Sequence, residues 1–252
     1  DNYFNDKLKI IQNLDNNSKI IYNKDDIILE NYFKNSKYAI SFSIKNKMND
    51  FIINGEKIFC AKSKELIINQ KDTNLIGKHN LSNIVAAIQI SKLYNIDIDL
   101  IKNALIEFKP LKHRMETVKS NSNITFINDS KGTNLVSTSS AVESFDKNII
   151  LILGGFSEDK INKSDIEKLI KKNNIYMVVC YGQIGKKIYE LIKNIKISYY
   201  KKSFSSAIKH AIKHSFNNSV VLLSPGFKSF DQFNSFEERG EKFKEIINHY
   251  YA

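Results

Sequence analysis

The sequence predicts an α/β fold whose C-terminal half holds a mainly parallel sheet, preceded by a shorter mixed α/β part. From residue 111 onward, strand-like apolar runs alternate with helical stretches, which is the pattern of βαβ units with helices on both faces of a sheet. Pro110 is one of only two prolines among 252 residues, and it follows a helix predicted over residues 97–108. A proline disfavours helix in the residue before it, so we predict a domain boundary there, with domains of residues 1–110 and 111–252.

In the first part, short apolar runs predict strands at residues 19–22, 39–44, 51–53 and 58–60. The dipeptide Asn54-Gly55 separates the last two runs and predicts a hairpin with a type I′ turn. A helix is predicted over residues 79–88, where apolar residues recur at helical spacing. Strands joined loosely and followed by a helix predict a small α/β domain.

In the second part, apolar runs predict strands at residues 124–127, 149–153, 176–180, 197–200 and 220–223. Helices are predicted between them and after them, at residues 135–145, 164–172, 184–194, 203–215 and 237–250. Ligands of such sheets bind at the carboxyl ends of the strands. The loops at those ends are therefore the first place to look for a site.

Polar loops follow three of these predicted strands. Residues 128–134 read NDSKGTN, residues 154–160 read GGFSEDK, and residues 224–233 read SPGFKSFDQF. Glycines, hydroxyls and lysines at three strand ends indicate one ligand site assembled from all three loops. Each loop alone also has a purely structural explanation, because Asp and Asn cap helices and paired glycines form tight turns.

Composition narrows the class of protein. The formal net charge is +11, but lysines are scattered along the chain and Arg114 and Arg239 are the only arginines, so we predict no nucleic-acid partner. A basic surface still favours anionic small substrates.

No apolar run is long enough to span a membrane and the start is not a signal peptide, so we expect a cytoplasmic protein. Cys60 and Cys180 are predicted to be buried free thiols, and no cysteine–histidine cluster has zinc spacing.

Several of these stretches resemble one family. Residues 113–116 read HRME, residues 77–83 read GKHNLSN, and the NDSKGTN and LLSP…DQF stretches follow in order. The combination resembles the Mur ligases, and among them the members that add D-glutamate, which carry patterns close to LPHRME, NDSKATN and LLSPACASFDQF. The resemblance covers nearly the whole chain and is weakest before about residue 20.

The resemblance implies a partial Mur-ligase central domain followed by a Rossmann-like C-terminal domain. It also implies an ATP- and Mg²⁺-dependent reaction of peptidoglycan synthesis by a monomer: ATP activates the carboxylate of UDP-N-acetylmuramoyl-L-alanine, and the amine of D-glutamate attacks it. No P-loop sequence G-x-x-x-x-G-K-[ST] occurs among these residues. We therefore expect the chain alone to be inactive.

Roles for individual residues also come from the resemblance. In the C-terminal domain it places the nucleotide against Arg114 and Asp129, and D-glutamate against Lys131, Thr133, Lys160, Ser224 and the backbone around Phe230. In the central domain it places Asn80 and Asn83 at the nucleotide base. Lys7 would be carbamylated and bind the magnesium ion, and Lys7 and Lys131 would be the catalytic lysines.

Two alternatives stay open. One is another ligase of the same architecture, such as folylpolyglutamate synthase, although the strand-end motifs differ. The other is a non-catalytic fragment that retains nucleotide- and amino-acid-binding faces. The sequence also departs from the family pattern where Phe227 and Lys228 replace small residues and where Gly132 replaces alanine.

Overall fold

The computed structural model describes residues 2–45, 50–159 and 161–251. It divides into two compact units, Asp1–Lys109 (unit 1) and Pro110–Ala252 (unit 2). Within the described ranges, no helix combines the length and apolarity needed to cross a membrane.

Over residues 2–45 and 50–109, unit 1 combines a parallel strand pair, an antiparallel sheet and four α-helices. Its elements are α1 (Asn2–Leu8), a 3-10 turn (Lys9–Ile11), β1 (Ile20–Asn23), α2 (Ile27–Phe33), β2 (Ala39–Phe42), β3 (Phe51–Asn54), β4 (Lys57–Cys60), β5 (Leu66–Asn69), a second 3-10 turn (Gln70–Asp72), α3 (Lys78–Leu93) and α4 (Ile98–Glu107). β1 and β2 pair in parallel, whereas β3, β4 and β5 form an antiparallel sheet in that order. The apolar side chains of α3 form one buried cluster with Phe51 and Ile58 of that sheet.

The predicted hairpin between β3 and β4 is confirmed, but its turn type was wrong. Asn54 pairs with Lys57, so the two loop residues are Gly55 and Glu56. Gly55 has φ of +60°, and Glu56 is not among the residues of the described chain with positive φ. A type I′ turn requires positive φ at both loop positions, whereas type II′ requires it only at the first. The prediction placed Gly55 one position too late in the turn.

Unit 2 is built on a six-stranded sheet. Its elements are β6 (Glu116–Val118), β7 (Thr125–Asn128), α5 (Leu135–Val142), β8 (Ile149–Gly154), α6 (Lys163–Ile170), β9 (Ile175–Tyr181), α7 (Gly182–Ile192), β10 (Ser198–Lys201), α8 (Phe204–Lys213), β11 (Val220–Gly226) and α9 (Phe236–Tyr250). The strand order is β10-β9-β8-β11-β7-β6, and every pair is parallel except β6 with β7. The predicted mainly parallel sheet is confirmed. β6 is antiparallel because only six residues connect it to β7, too few for a crossover.

The sheet of unit 2 is buried on both faces, as parallel sheets require. All six residues of β8 are buried. Ile150 and Ile152 belong to a cluster with Ala207 and Ile208 of α8 and Phe243 of α9. Cys180 is buried as predicted. Cys60 of unit 1 is only half-buried, because it is the last residue of β4.

Candidate functional site

The structure brings the three predicted strand-end loops of unit 2 together. β8, β11 and β7 are neighbours, so their carboxyl ends lie side by side. The amide of Gly226 donates to the carbonyl of Gly132 at 2.8 Å, which joins the loops after β11 and β7. The amide of Phe156 donates to the carbonyl of Lys228 at 2.8 Å, which joins the loops after β8 and β11. The candidate site is this joined set of loops.

Asp129 lies at the centre of the joined loops. It is only 5% exposed, and both of its carboxylate oxygens accept hydrogen bonds. Oδ2 accepts from Ser224 Oγ at 2.7 Å, and Oδ1 accepts from the amide of Met115 at 3.3 Å. Ser224 is fully buried, and its Oγ also lies 3.2 Å from Thr138 Oγ1. Asp129 and Ser224 are therefore partners of each other.

Burial changes the protonation of Asp129. Desolvation raises the pKa of its carboxyl from 3.8 to about 6, since the charged form loses its water. The hydroxyl of Ser224, the amide of Met115 and the charges of Arg114 and Arg239 act in the opposite direction and limit the rise. A buried carboxyl whose pKa is raised by burial and which also feels the charges of specific arginines is typical of functional sites.

The turn that carries Arg114 is held against the NDSKGTN loop. His113 and Met115 have φ of +63° and +50°, which is uncommon outside glycine. The carbonyl of His113 accepts from the amide of Lys131 at 3.0 Å. The buried His113 ring accepts from Asn128 Nδ2 at 3.0 Å through Nδ1, and burial lowers its pKa. These contacts leave the Arg114 side chain exposed at the site.

Lys131 and Thr133 both present exposed side chains. The Lys131 nitrogen lies 5.7 Å from the ring centroid of Phe236, in a cation–π contact. Among the described residues, no carboxylate lies within ion-pair distance of this nitrogen. Both side chains are placed to meet an anionic ligand.

Phe230 does not join this cluster in the structure. Phe230 is 60% exposed and lines a cavity of about 1010 Å³ at the ends of β9 and β10. Lys201, Lys202 and Asp231 also line that cavity, whereas Lys131 and Thr133 do not. Lys160 lies outside the described residues.

Three of the predicted residues belong to unit 1. Asn80 is buried near the start of α3, where its Nδ2 donates to the carbonyl of Ile76 at 2.8 Å and its Oδ1 accepts from Asn83 Nδ2 at 3.3 Å. Lys7 of α1 lines a largely apolar cavity of about 600 Å³. Asn23 and Asp26 line the same cavity.

The residues fit the expected cofactors only in part. The described part of the chain contains no group of three or more His, Cys, Asp or Glu side chains that could hold a metal ion. Asp26 already uses a carboxylate oxygen to cap α2. These residues therefore do not form a complete magnesium site. The exposed Arg114 suits a nucleotide, but the 252 residues include no P-loop sequence to cradle its phosphates.

The sequence analysis missed Arg239. It lies in α9 and is the largest side chain that the described chain buries completely. The sequence does carry one signal for this residue, the rarity of arginine. Lysine and arginine together number 38, and only two of them are arginines. A chain that uses lysine almost everywhere keeps arginine where the planar guanidinium fork is needed.

Comparison with protein families matches both units. The model for the Mur ligase middle domain matches residues 1–91, and the model for the Mur ligase glutamate ligase domain matches residues 113–227. These matches confirm the resemblance drawn from the motifs.

Curated relatives extend over nearly the whole chain. Proteins named UDP-N-acetylmuramoylalanine--D-glutamate ligase are 34% identical over 253 residues in Clostridioides difficile and 34% identical over 255 residues in Fusobacterium nucleatum. Each match covers 98% of this chain, but only 55% and 57% of the relative. The chain thus spans about half the length of the curated relatives it matches.

Solved structures agree on the fold. A MurF structure from Acinetobacter baumannii matches 96% of this chain and 55% of its own with a TM-score of 0.69 and 13% identity. MurF from Thermotoga maritima in complex with ADP matches 98% of this chain and 58% of its own with a TM-score of 0.66 and 16% identity. At these identities the likeness shows the fold alone. The two domain matches and the curated relatives show that the chain belongs to the Mur ligase family.

Proposed function

We propose that this chain is part of an ATP-dependent ligase that adds D-glutamate to UDP-N-acetylmuramoyl-L-alanine in peptidoglycan precursor synthesis. The observation that carries the proposal is its similarity, over nearly its whole length, to relatives named for that reaction. Residues 1–110 are proposed as part of the central ATPase domain. Residues 111–252 are proposed as the C-terminal domain that receives the amino acid.

Amide formation demands an activated carboxylate and a positioned amine. ATP supplies the activation, and the protein must hold the incoming amino acid by its carboxylates so that its amine, once deprotonated, keeps a free lone pair for the attack. Lys131 and Thr133 are proposed to bind the D-glutamate carboxylates. An exposed ammonium without an ion-pair partner among the described residues, next to a hydroxyl, provides the charge-assisted bonds that two carboxylates require. Each carboxylate then fixes the orientation of the substrate amine.

The nucleotide is proposed to contact Arg114 and Asp129. Arg114 is exposed, and its guanidinium suits phosphate or a base face. Each carboxylate oxygen of Asp129 already accepts one hydrogen bond, from Ser224 Oγ and from the Met115 amide, and each keeps a second lone pair that a ribose hydroxyl can bond to. We therefore propose that Ser224 acts on the reaction through Asp129. The roles of Lys7, Asn80, Asn83, Lys160 and Phe230 stay predictions.

A chimera tests the proposal. The segment of the Clostridioides difficile relative that matches this chain is replaced by the 252 residues, and phosphate release is measured with ATP and UDP-N-acetylmuramoyl-L-alanine. Release that depends on D-glutamate, and not on L-glutamate, is the expected result. Thermal unfolding of the chimera serves as the folding control.

The same assay addresses the two alternatives. A folded chimera that accepts only other amino acids, or a pteroyl acceptor with L-glutamate, would favour a different ligase. A folded chimera that binds D-glutamate but releases no phosphate would favour a non-catalytic fragment. Either outcome would overturn the proposed activity.

A further inference from the structure

Arg239 connects loops that are far apart in sequence. Its Nε donates to Ser130 Oγ at 2.9 Å and its Nη2 donates to the Ser130 carbonyl at 2.7 Å. Its Nη1 donates to the Phe227 carbonyl at 3.0 Å and to Tyr181 Oη at 3.2 Å. Ser130 precedes Lys131 in the loop after β7, Phe227 follows β11, and Tyr181 ends β9. The Arg239 guanidinium thus donates hydrogen bonds at the carboxyl ends of β7, β9 and β11.

The loop after β8 passes close to Arg239 at Gly155. A Cβ placed on Gly155 would lie 2.3 Å from the carbonyl oxygen of Lys228 and 3.3 Å from Arg239 Nη1. Gly155 also has φ of +128°, where side chains are strongly disfavoured. The glycine is therefore required by the backbone and the Lys228 carbonyl, and it also leaves room beside the guanidinium.

Arg239 has no ion-pair partner among the described residues, although its charge reaches the Asp129 carboxyl and lowers the pKa of that group. All four acceptors are neutral, and within the described ranges no carboxylate lies within ion-pair distance of the guanidinium. Burial of an unpaired charge is costly, and Arg239 is the fourth residue of α9, near the end of a helix that disfavours cations. A neutral side chain would fill this position at lower cost if packing were its only role. The charge itself therefore requires an explanation.

We infer that Arg239 is a positioning residue of the proposed amino-acid site, which fixes the loop that carries Lys131 and adds positive potential for a carboxylate of the substrate. The inference rests on the proposed function for the identity of that substrate, a dicarboxylic amino acid. The bonds to Ser130 set the backbone immediately before Lys131. In the buried surroundings a charge acts over a longer distance than it does in water. Arg239 itself touches no substrate, because it is fully buried.

Three variants of the 252-residue chain separate charge from packing. Arg239→Met removes the charge at similar length, Arg239→Lys keeps the charge but loses the fork, and Tyr181→Phe removes one acceptor only. The readouts are the NMR titration of the Asp129 side-chain carboxyl, the D-glutamate affinity from amide shifts, and the unfolding transition in urea. Asp129 reports the field because both Arg239 and Arg114 lower its pKa.

The charge decides the expected pattern. Arg239→Met should raise the Asp129 pKa and weaken D-glutamate binding about tenfold. Arg239→Lys should keep the Asp129 pKa near that of the wild type, and Tyr181→Phe should leave it unchanged. If Arg239→Met leaves the pKa unchanged, or Arg239→Lys shifts it as much as Arg239→Met does, the inference is overturned. If Arg239 had only a structural role, Arg239→Met and Arg239→Lys would both lower the free energy of unfolding, and the Asp129 pKa would not differ between them.

Ser130→Ala decides the question if Arg239→Met does not fold. It removes one acceptor of the guanidinium and should speed hydrogen exchange at the Gly226 amide, in the other loop, more than at the core amide of Val179. Unchanged exchange at Gly226 would overturn the inference. If the wild-type chain binds no D-glutamate, the proposed substrate is wrong for the isolated chain, but the Asp129 titration and the exchange rates still decide the role of Arg239.

Discussion

Ser224 Oγ donates a 2.7 Å hydrogen bond to Asp129 Oδ2, across 95 residues of sequence and between the ends of β11 and β7. The two residues were predicted separately, one for the amino acid and one for the nucleotide. The structure makes them a single buried pair. Any substitution at one position therefore changes the environment of the other.

A double-mutant cycle should detect this pair. Ser224→Ala and Asp129→Asn, alone and together, are expected to be non-additive in the free energy of unfolding by about 1–3 kcal/mol at pH 8, because the bond involves an ionised, buried carboxylate. Urea unfolding measures the four free energies. Ser140→Ala is the control, since the Ser140 hydroxyl donates only to the Val136 carbonyl of its own helix. Additive effects of the Ser224 and Asp129 substitutions would contradict the finding.

Asp129 should also make stability depend on pH. Its pKa in the folded state is raised to about 6 from 3.8, so folding favours the protonated form. The contribution of the Asp129 carboxyl to the free energy of unfolding is fully present below pH 3.8 and is lost as the pH rises through 6. The difference in the free energy of unfolding between Asp129→Asn and the wild type should therefore change by about 2 kcal/mol in favour of the variant between pH 4.5 and pH 8. Urea unfolding at both pH values measures the gain, with the exposed Asp146→Asn as control. A constant difference would show that Asp129 is not perturbed.

Much of unit 2 could be predicted from sequence because local and global signals agree there. Continuous apolar runs such as that of β8 exist only where helices cover both faces, and the polar residues after them mark the strand ends. Short elements such as β6 gave no usable periodicity. The turn at Gly55 was misassigned because a one-residue change in hairpin register reverses which position the glycine fills.

The candidate site could be predicted only as a set of loops. Motifs identified Asp129, Lys131 and Thr133, but not which of them are buried. The partnership of Asp129 with Ser224 depends on β11 lying between β8 and β7, a strand order that no local pattern encodes. Arg239 was missed because its function depends on where α9 packs, about a hundred residues away from Ser130 in sequence.

The family pattern NDSKATN carries alanine where this chain has Gly132, and in this structure an alanine there would require the Asp129 carboxylate to shift. A Cβ there would lie 2.5 Å from Asp129 Oδ2 and 2.9 Å from Ser224 Oγ. Gly132→Ala is expected to cost about 1–3 kcal/mol, because the carboxylate must leave its bond. In the Asp129→Ala background the same substitution should cost much less. Urea unfolding of the four proteins checks this, and an equal cost in both backgrounds would place the clash elsewhere.

Substitutions of Lys131 and Asp129 should affect different substrates, although the two residues are only two positions apart. In the chimera, Lys131→Ala is expected to reduce the use of D-glutamate about 10- to 150-fold, which corresponds to about 1.5–3 kcal/mol for a lost charge-assisted bond. Asp129→Ala should mainly weaken the binding of ATP. Steady-state kinetics with the two substrates varied independently measures both. Lys147→Ala, an exposed lysine between α5 and β8, is the matched control.

Equal effects of Lys131→Ala and Asp129→Ala on both substrates, together with a lowered melting temperature, would contradict that separation. Such a result would mean that the NDSKGTN stretch is a capped turn and not a site. Because Lys131 is exposed, its substitution should leave the melting temperature nearly unchanged.

The 252-residue chain alone should not hydrolyse ATP. The backbone and lysine of a P-loop hold the β- and γ-phosphates during transfer, and no such sequence occurs among these residues. Phosphate release is therefore expected to equal that of a no-protein control. Release above the control that disappears in Arg114→Ala would show that this chain carries its own phosphate-binding machinery.

The recognition of D-glutamate at the joined strand-end loops is tested most directly by a two-dimensional amide NMR titration of the chain. D-glutamate is added to the assigned protein, with L-glutamate as the matched control. We expect saturable shifts for D-glutamate alone, concentrated at Lys131, Gly132 and Thr133 and absent in Lys131→Ala. Equal shifts with both enantiomers, or saturable shifts concentrated instead around Phe230 and Lys201, would contradict it.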